Sequence, residues 1–335
     1  MIITRASLRI SFVGGGTDLP KFYHQYPGRV ISTTIDKYVY IALNKNVFNK
    51  DFILKYSLTE IVRSPNEIKN TRFRAAIQEY YKNSDKPLEI SSIADLPSKT
   101  GLGSSSSFSC ALIKAIYALQ GENASKEKIA KEASRLEIEI LKEPIGKQDQ
   151  YAAAYGGLNI IQFNPDESVN VEPVLMDFKQ LNNFNSHLSL FYTGMTRNAS
   201  DVLAKQQQKL PNQLETYKKM SDSVYDFKKY LLKSDYKKIA EMLHESWLRK
   251  KSLSENISNS QIDKIYQFAL KNGAWGGKIL GAGNGGCLLF ISEPNKKNEL
   301  KKNLENFTKS LGLYEFEEIP FRFTQSGTDI LFNNS

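Results

Sequence analysis

Cysteine and histidine are scarce in this chain: its 335 residues include only Cys110 and Cys287 of the first, and His24, His187 and His244 of the second. Two cysteines that far apart do not make a disulfide framework and read as buried thiols. The histidines stand near neither a cysteine nor a pair of carboxylates, which argues against a zinc site. No apolar run reaches the roughly 18 residues that a bilayer-spanning helix requires, and the opening MIITRASLRISF lacks the charged-then-apolar layout of a secretory signal. The expectation is a soluble, cytoplasmic protein with no membrane partner. Also missing is any GxxxxGKS/T stretch, so a nucleotide bound here would not be held by a Walker loop.

Positive charge is in modest excess, +9 overall, but it is dispersed. In KKYLLKSDYKK and KKNELKKNLENFTK, lysines alternate with acidic and apolar residues as on solvated helical faces. No nucleic-acid motif accompanies them. Nucleic acid is therefore excluded from the expected partners, and the excess suits small anionic substrates such as nucleotides and sugar phosphates. The length predicts about two domains at roughly 150 residues each, and a hydrophobic content of 41% suffices for their cores.

Against these absences stands the stretch Pro97 to Ser107, PSKTGLGSSSS. Gly101 and Gly103 let the backbone turn tightly and approach a ligand, and the serines bring short hydroxyls and unblocked N–H groups to a helix start. From Phe108 onward Ala111, Leu112, Ala115, Ile116 and Leu119 repeat at helical spacing. A flexible Gly/Ser linker would not run into such a helix, so the loop reads as a phosphate cradle.

The chain opens β-rich, with strands in ITRASLRISFV, VISTTIDKYVYIALNK and FILKYSL. Helices are expected at Thr71 to Asn83, Ser105 to Gln120, Ser125 to Lys142 with Ser125 as N-cap, and Gln148 to Tyr155. GGLNIIQFN returns to strand. LNNFNS reads as a loop and divides the chain into domains 1–185 and 186–335. The second half carries helices near Ser200 to Leu232, Tyr236 to Leu253 and Gln261 to Asn272, then strands in GGCLLFIS and EIPFRFTQSGTDILF around a lysine-rich helix. This pattern predicts an α+β domain with helices on one face of an antiparallel sheet. Two further glycine clusters, VGGGTD at Val13 to Asp18 and GAGNGG at Gly281 to Gly286, flank the whole.

The order LRISFVGGGTDLP, PSKTGLGSSSS and GGKILGAGNGGC resembles the three motifs of the GHMP kinases, the superfamily of galactokinase, homoserine kinase, mevalonate kinase and phosphomevalonate kinase. The likeness spans nearly the whole chain. Within the superfamily, GGGTDLP, STTIDKYVYI and SWLRKKSLSENISNSQID are more similar to the bacterial heptose 7-phosphate kinases than to galactokinases, which have an acidic residue and a histidine in place of Gly15 and Gly16. The resemblance implies a two-domain α+β GHMP kinase fold: a ribosomal-protein-like N-terminal domain, a ferredoxin-like C-terminal domain and an active site between them.

It also implies roles for particular residues. ATP would lie on Pro97, Gly101, Leu102, Gly103, Ser104, Ser105, Ser106 and Ser107. Asp149 matches the family's catalytic aspartate and would take or orient the proton of the attacking hydroxyl; read without the family, it would be a helix cap. Arg9, in motif one, would keep that carboxylate ionised and offset charge on the transferring phosphoryl group. Mg²⁺ would be held by Ser105 and Glu137. Glu137 shares the apolar face of Ile129, Ala133 and Ile140, whereas Glu139 joins the charged face of Glu132, Arg135 and Lys142 and is the reserve. The sugar would meet Gly15, Gly16, Thr17 and Asp18, and motif three through Gly281, Gly283 and Gly285. Asn284 interrupts that glycine run but tolerates left-handed backbone. A distal phosphate needs a cation, for which Arg197, Lys250, Lys251 and Arg29 are candidates.

The activity implied is phosphorylation of the anomeric hydroxyl of an anionic heptose phosphate with ATP and Mg²⁺, by a monomer or homodimer. Alternatives are another anomeric sugar kinase of the fucose or galactose type and a non-catalytic sugar and ATP sensor; Asp149, Arg9 and Glu137 argue against the sensor.

Overall fold

The opening strand, β1 (Ile2–Val13), is buried without interruption from Ala6 onward, as happens only where both faces are covered. The computed structural model describes residues 1–45, 50–83, 86–196, 199–254 and 257–334, with the backbone alone of 199–201. It shows a helix layer on one side of the first sheet and a second domain on the other.

After the short α1 (Pro20–Tyr23), the long β2 (Gly28–Lys45) runs antiparallel to β1. Next come β3 (Phe52–Lys55), β4 (Thr59–Val62), α2 (Thr71–Tyr80), β5 (Leu88–Ala94), α3 (Ser104–Leu119), α4 (Lys126–Ser134), α5 (Gln148–Tyr155), β6 (Leu158–Phe163) and β7 (Val169–Pro173). The free side of β2 is shared: residues 39–45 pair with β5 and residues 28–33 with β6. Apolar residues of the strands, among them Ile41, Leu43, Phe52 and Ile90, meet Phe73 and Ile77 of α2, Leu112 and Ile116 of α3, and Ile129 and Ala133 of α4 in one core. Cys110 lies there, and both cysteines are buried free thiols.

The second domain contains α6 (Phe178–Ser186), β8 (Leu188–Tyr192), α7 (Ala199–Lys209), α8 (Leu214–Leu232), α9 (Tyr236–Leu253), α10 (Ser260–Lys271), β9 (Ala274–Ile279), β10 (Cys287–Ser292), α11 (Lys297–Ser310) and β11 (Glu317–Glu318). Its sheet has the order β11-β8-β10-β9, all antiparallel. Every residue of β10 is buried. Cys287, Leu289 and Ile291 join Leu8, Ile10 and Phe12 of β1 and Val224 and Phe227 of α8, which welds the domains together. Leu288 and Phe290, on the other face, meet Ile262 and Ile265 of α10 and Leu300 and Leu304 of α11. No helix among the described residues is long and apolar enough to cross a membrane.

Four features differ from the sequence-based expectation. The helix expected from Ser200 to Leu232 is broken by a 3-10 turn, Leu210–Gln213, because Pro211 has no N–H to donate and disfavours helical backbone before it. LNNFNS is not a loop but the end of α6, closed at its start by a reciprocal capping box of Asp177 and Gln180. The helix after Ser125 keeps the expected cap, Ser125 accepting from the Lys128 N–H at 3.2 Å, but widens into a π turn over Arg135–Ile140. Finally, EIPFRFTQSGTDILF breaks at Pro320, and its later part forms β12 (Phe323–Thr324) and β13 (Thr328–Asn333), which pair with β2 and β1. The expected division at 185/186 assigns these strands to the second domain, whereas their hydrogen bonds place them in the first sheet.

Candidate active site

Both domains line a cavity of about 770 Å³. Its floor comes from β1 and the starts of α3 and α5, its far wall from α7, α9 and β9. The serine loop enters α3 through Gly103, whose φ of 79° is left-handed and which adds no side-chain cap. The first N–H groups of α3 are thereby directed at the cavity, where an anion can take them. Of the loop residues expected at the nucleotide, Pro97, Gly101, Gly103, Ser104, Ser105 and Ser106 line the cavity. Leu102 and Ser107 do not. Leu102 is a core residue, fully buried, while the Ser107 hydroxyl donates inward to the Ser7 carbonyl at 2.8 Å. Beside the loop, Val39, Ala94, Leu96 and Phe108 give the cavity an apolar flank suited to a nucleobase.

Gly101 and Gly281 meet face to face: a Cβ on Gly281, at φ 67°, would stand 2.6 Å from the Gly101 Cα. Motif three can close on the serine loop only because neither carries a side chain. Gly281 lines the cavity; Gly283 and Gly285 instead lie against the carbonyls of Ile257 and Met195 and only shape the loop. Asn284 adopts φ 55°, the left-handed conformation expected of it, and its side-chain oxygen accepts from Asn259 at 2.6 Å.

Arg9 and Asp149 lie 140 residues apart in sequence and are joined side by side, Nε to Oδ1 and Nη2 to Oδ2, each at 2.8 Å. The third arm of the guanidinium donates to the Gly101 carbonyl at 2.7 Å, so one arginine ties the carboxylate to the phosphate loop. Asp149 is in the first turn of α5, but the helix is capped by Lys147 without a side-chain bond. Its carboxylate faces Arg9 and the cavity rather than the helix end.

The pair named for magnesium is not brought together. Ser105 is exposed, and Glu137, fully buried, accepts from Ser106 and Ser109 at 2.7 Å each, from Gln150, and from the Arg72 Nε at 3.4 Å. One residue along a helix is a rotation of about 100°, enough to exchange an outward serine for an inward one. Arg72 also makes a forked bond to Glu143 at 2.6 and 2.7 Å. The π turn directs Glu137 inward and leaves Glu139 exposed. Among the described residues no three His, Cys, Asp or Glu side chains form a metal cage. The hard-oxygen donors beside the phosphate loop nevertheless fit Mg²⁺, which leans on substrate phosphates and water. Ser106, the cavity-lining serine already bonded to Glu137, is the hydroxyl that would share an entering cation with that carboxylate. Changing Glu137 to Gln is expected to raise the magnesium concentration for half-maximal turnover several-fold at fixed ATP; a magnesium titration that superimposes on the native one would remove Glu137 from this role.

In motif one, Asp18 is 2% exposed and accepts from the N–H of Gly16 at 3.0 Å, the Gln148 N–H at 3.1 Å and the Gln148 amide at 3.0 Å. Burial, with the charge of Asp149, pushes its carboxyl above the ordinary value against the pull of those N–H donors. Gly15, Gly16 and Asp18 line the cavity. Thr17 does not: its hydroxyl, completely buried, bonds the Gly14 and Arg29 backbone at 2.8–2.9 Å. It braces the turn.

Of the cations expected at a distal phosphate, Arg197 lies outside the described residues. Arg29 pairs with Gln162 at 2.7 Å and Lys251 with Asp263 at 2.6 Å, both away from the cavity. Lys250 does line it, donating to the Gly281 carbonyl. Lys278 on β9 is not among those candidates, and its one signal in the sequence is a lysine inside the apolar run GGKIL. Its ammonium is buried against the carbonyls of Ser11 at 3.0 Å and Phe12 at 2.7 Å. Burial, with the charges of Lys250 and Arg9, holds its pKa well below the ordinary lysine value. An anion arriving here recovers what that burial costs.

Behind α5, Glu167 accepts from Lys147, His24 and the Tyr23 hydroxyl and so anchors the residue that starts the helix. Burial pushes its carboxyl up, but these three donors outweigh it and hold the pKa at about 2 against the usual 4.5. A lowered carboxylate stabilises the fold fully above the unfolded value and loses that contribution as pH falls through the folded one. Between pH 4.5 and about 2 the Tm of the native protein should therefore fall more steeply than that of a Glu167→Gln variant; parallel curves would sink this account.

A cleft that presents free N–H groups and cations on one side and a fixed carboxylate on the other is suited to phosphoryl transfer, and the class it defines is a kinase. Residues 69–157 match the GHMP kinases N terminal domain and residues 227–309 the GHMP kinases C terminal domain. The D-glycero-alpha-D-manno-heptose 7-phosphate kinase of Campylobacter jejuni is 32% identical over 340 residues, covering 97% of each chain. Among solved structures, a D-glycero-D-manno-heptose 1-phosphate kinase from Bacteroides thetaiotaomicron superposes with a TM-score of 0.82 at 24% identity, covering 100% of both chains. A Lactococcus lactis galactokinase in complex with galactose does so with 0.78 at 17% identity, over 98% of this chain and 95% of that one. These two speak for the fold alone. This chain belongs to the GHMP kinase family and is an ATP-dependent kinase of that fold.

Proposed function

We propose that the protein transfers the γ-phosphoryl group of ATP to the anomeric hydroxyl of D-glycero-D-manno-heptose 7-phosphate, giving the 1,7-bisphosphate for nucleotide-heptose and surface polysaccharide synthesis. The observation that carries the chemistry is the forked Arg9–Asp149 pair at the cavity floor. Asp149 receives the proton of the attacking hydroxyl, and Arg9, bound to it and to the phosphate loop, balances charge as the phosphoryl group moves. The N–H groups of Ser104 to Ser106 hold the nucleotide phosphates, and Lys250 supplies further positive charge on the opposite wall, where a bound anion would also favour the charged form of Lys278. Magnesium held through Ser106 and Glu137 would neutralise nucleotide phosphate charge. An acceptor that is itself a phosphate suits a cavity with buried cations beyond those the carboxylates match.

The relative at 32% identity, named for the 7-phosphate, supports this acceptor; the structure named for a 1-phosphate is only 24% identical. ADP release with Mg²⁺-ATP should be selective for the heptose 7-phosphate over fucose, galactose and mannose. Turnover of a neutral sugar instead would retain the mechanism and discard the substrate. ATP binding without turnover of any of them would favour a sensor.

A further inference from the structure

Buried polar atoms without a partner are uncommon in a folded protein, and one on a residue that lines a cavity asks for a ligand atom. Among the described residues, Gln206 Oε1 is the only such orphan on a cavity-lining residue. Gln206 lies on α7 and is 1% exposed. Its amide N–H donates to the Tyr217 hydroxyl on α8 at 2.8 Å, which fixes the amide and leaves the oxygen unused. The pair sits over the glycine turn of motif one, since a Cβ on Gly16 would meet the Gln206 Nε2 at 2.9 Å and Tyr217 Cε1 at 3.3 Å. An alanine there would push the amide away. Asp18 is near enough to act on Tyr217 electrostatically, so a carboxylate and an orphaned amide oxygen belong to neighbouring residues that line this end of the cavity. The buried lysines Lys250 and Lys278 are on other elements of the same cavity.

We infer that Gln206 is a specificity-determining residue that accepts a hydrogen bond from one hydroxyl of a polyol acceptor, with Gly16 and Tyr217 holding its amide in place. The inference rests on the reading of the protein as a sugar kinase, but not on which sugar is used. Left unpaired, the oxygen costs the empty enzyme stability; paired by a hydroxyl, it repays that cost, and a sugar lacking the hydroxyl recovers nothing.

The experiment compares the acceptor the native enzyme turns over with its single-deoxy analogues, in the native enzyme and in Gln206→Met, with Tm measured for each protein. At one position the native enzyme should lose about tenfold or more in kcat/KM when the hydroxyl is removed, whereas Gln206→Met loses little there and has an unchanged KM for ATP. If every deoxy analogue costs the two proteins the same, the inference is overturned. Should Gln206→Met fail to fold, Gln206→Glu keeps an acceptor oxygen and must keep the discrimination at that position; loss of it overturns the inference. Tyr217→Phe frees the amide that the tyrosine hydroxyl holds and should weaken the discrimination at the same position and no other; a loss at a different position would overturn the inference. Failure of the substrate reading is seen separately, as a native enzyme that ignores the heptose 7-phosphate.

Discussion

Asp149→Asn is expected to lower kcat by about two to four orders of magnitude while nucleotide affinity survives. The asparagine has nearly the same shape and can still meet one arm of Arg9, so the loop and the helix start should hold. What it lacks is a basic oxygen. The attacking hydroxyl then has no group to receive its proton, and Arg9 faces a neutral partner. Coupled ADP detection gives kcat and titration calorimetry gives ATP affinity. Turnover within threefold of native would exclude the aspartate from the chemistry.

The second large effect is expected at Arg9. Arg9→Met removes the donors to both Asp149 oxygens and to the Gly101 carbonyl, and should cost about three orders of magnitude in kcat. Apart from its effect on the chemistry, breaking a buried ion pair from one side costs about 3–5 kcal/mol of folding stability; the lower end applies, because the Asp149 side chain is 27% exposed. Lysine should rescue little, since a point charge cannot reproduce the fork. Arg9 and Asp149 act as one unit, so Arg9→Met with Asp149→Asn should be scarcely slower than the worse single variant. Losses that multiply in the double variant would mean two independent roles.

What could be read from the sequence was local periodicity and the loops that a known family shares. Ala111, Leu112, Ala115 and Ile116 gave α3, and with it a rigid base for the serine loop. Three glycine clusters remote in sequence pointed to one cleft, and Arg9 and Asp149 do meet there. The failures have two causes. The first is helical phase: Ser105, Ser106 and Ser107 are chemically alike, and only the seating of α3 against β1 decides which faces Glu137, solvent or the Ser7 carbonyl. The second is range. Nothing near Arg29 or Lys251 announces Gln162 or Asp263, and a threonine that braces a turn, as Thr17 does, looks like one that greets a sugar. Gln206 carried no motif at all; its importance comes from an oxygen that the tertiary structure left without a partner.

The return of β13 to the side of β1, with Ile2 opposite Asn333, sets an order of events during synthesis. The outer edge of β1 stays open until the residues of β13 have been made. An uncovered strand edge invites pairing with other chains, and contacts of such long range form slowly. A truncation that removes β13 would leave the edge of the strand that carries Arg9 exposed in the finished protein.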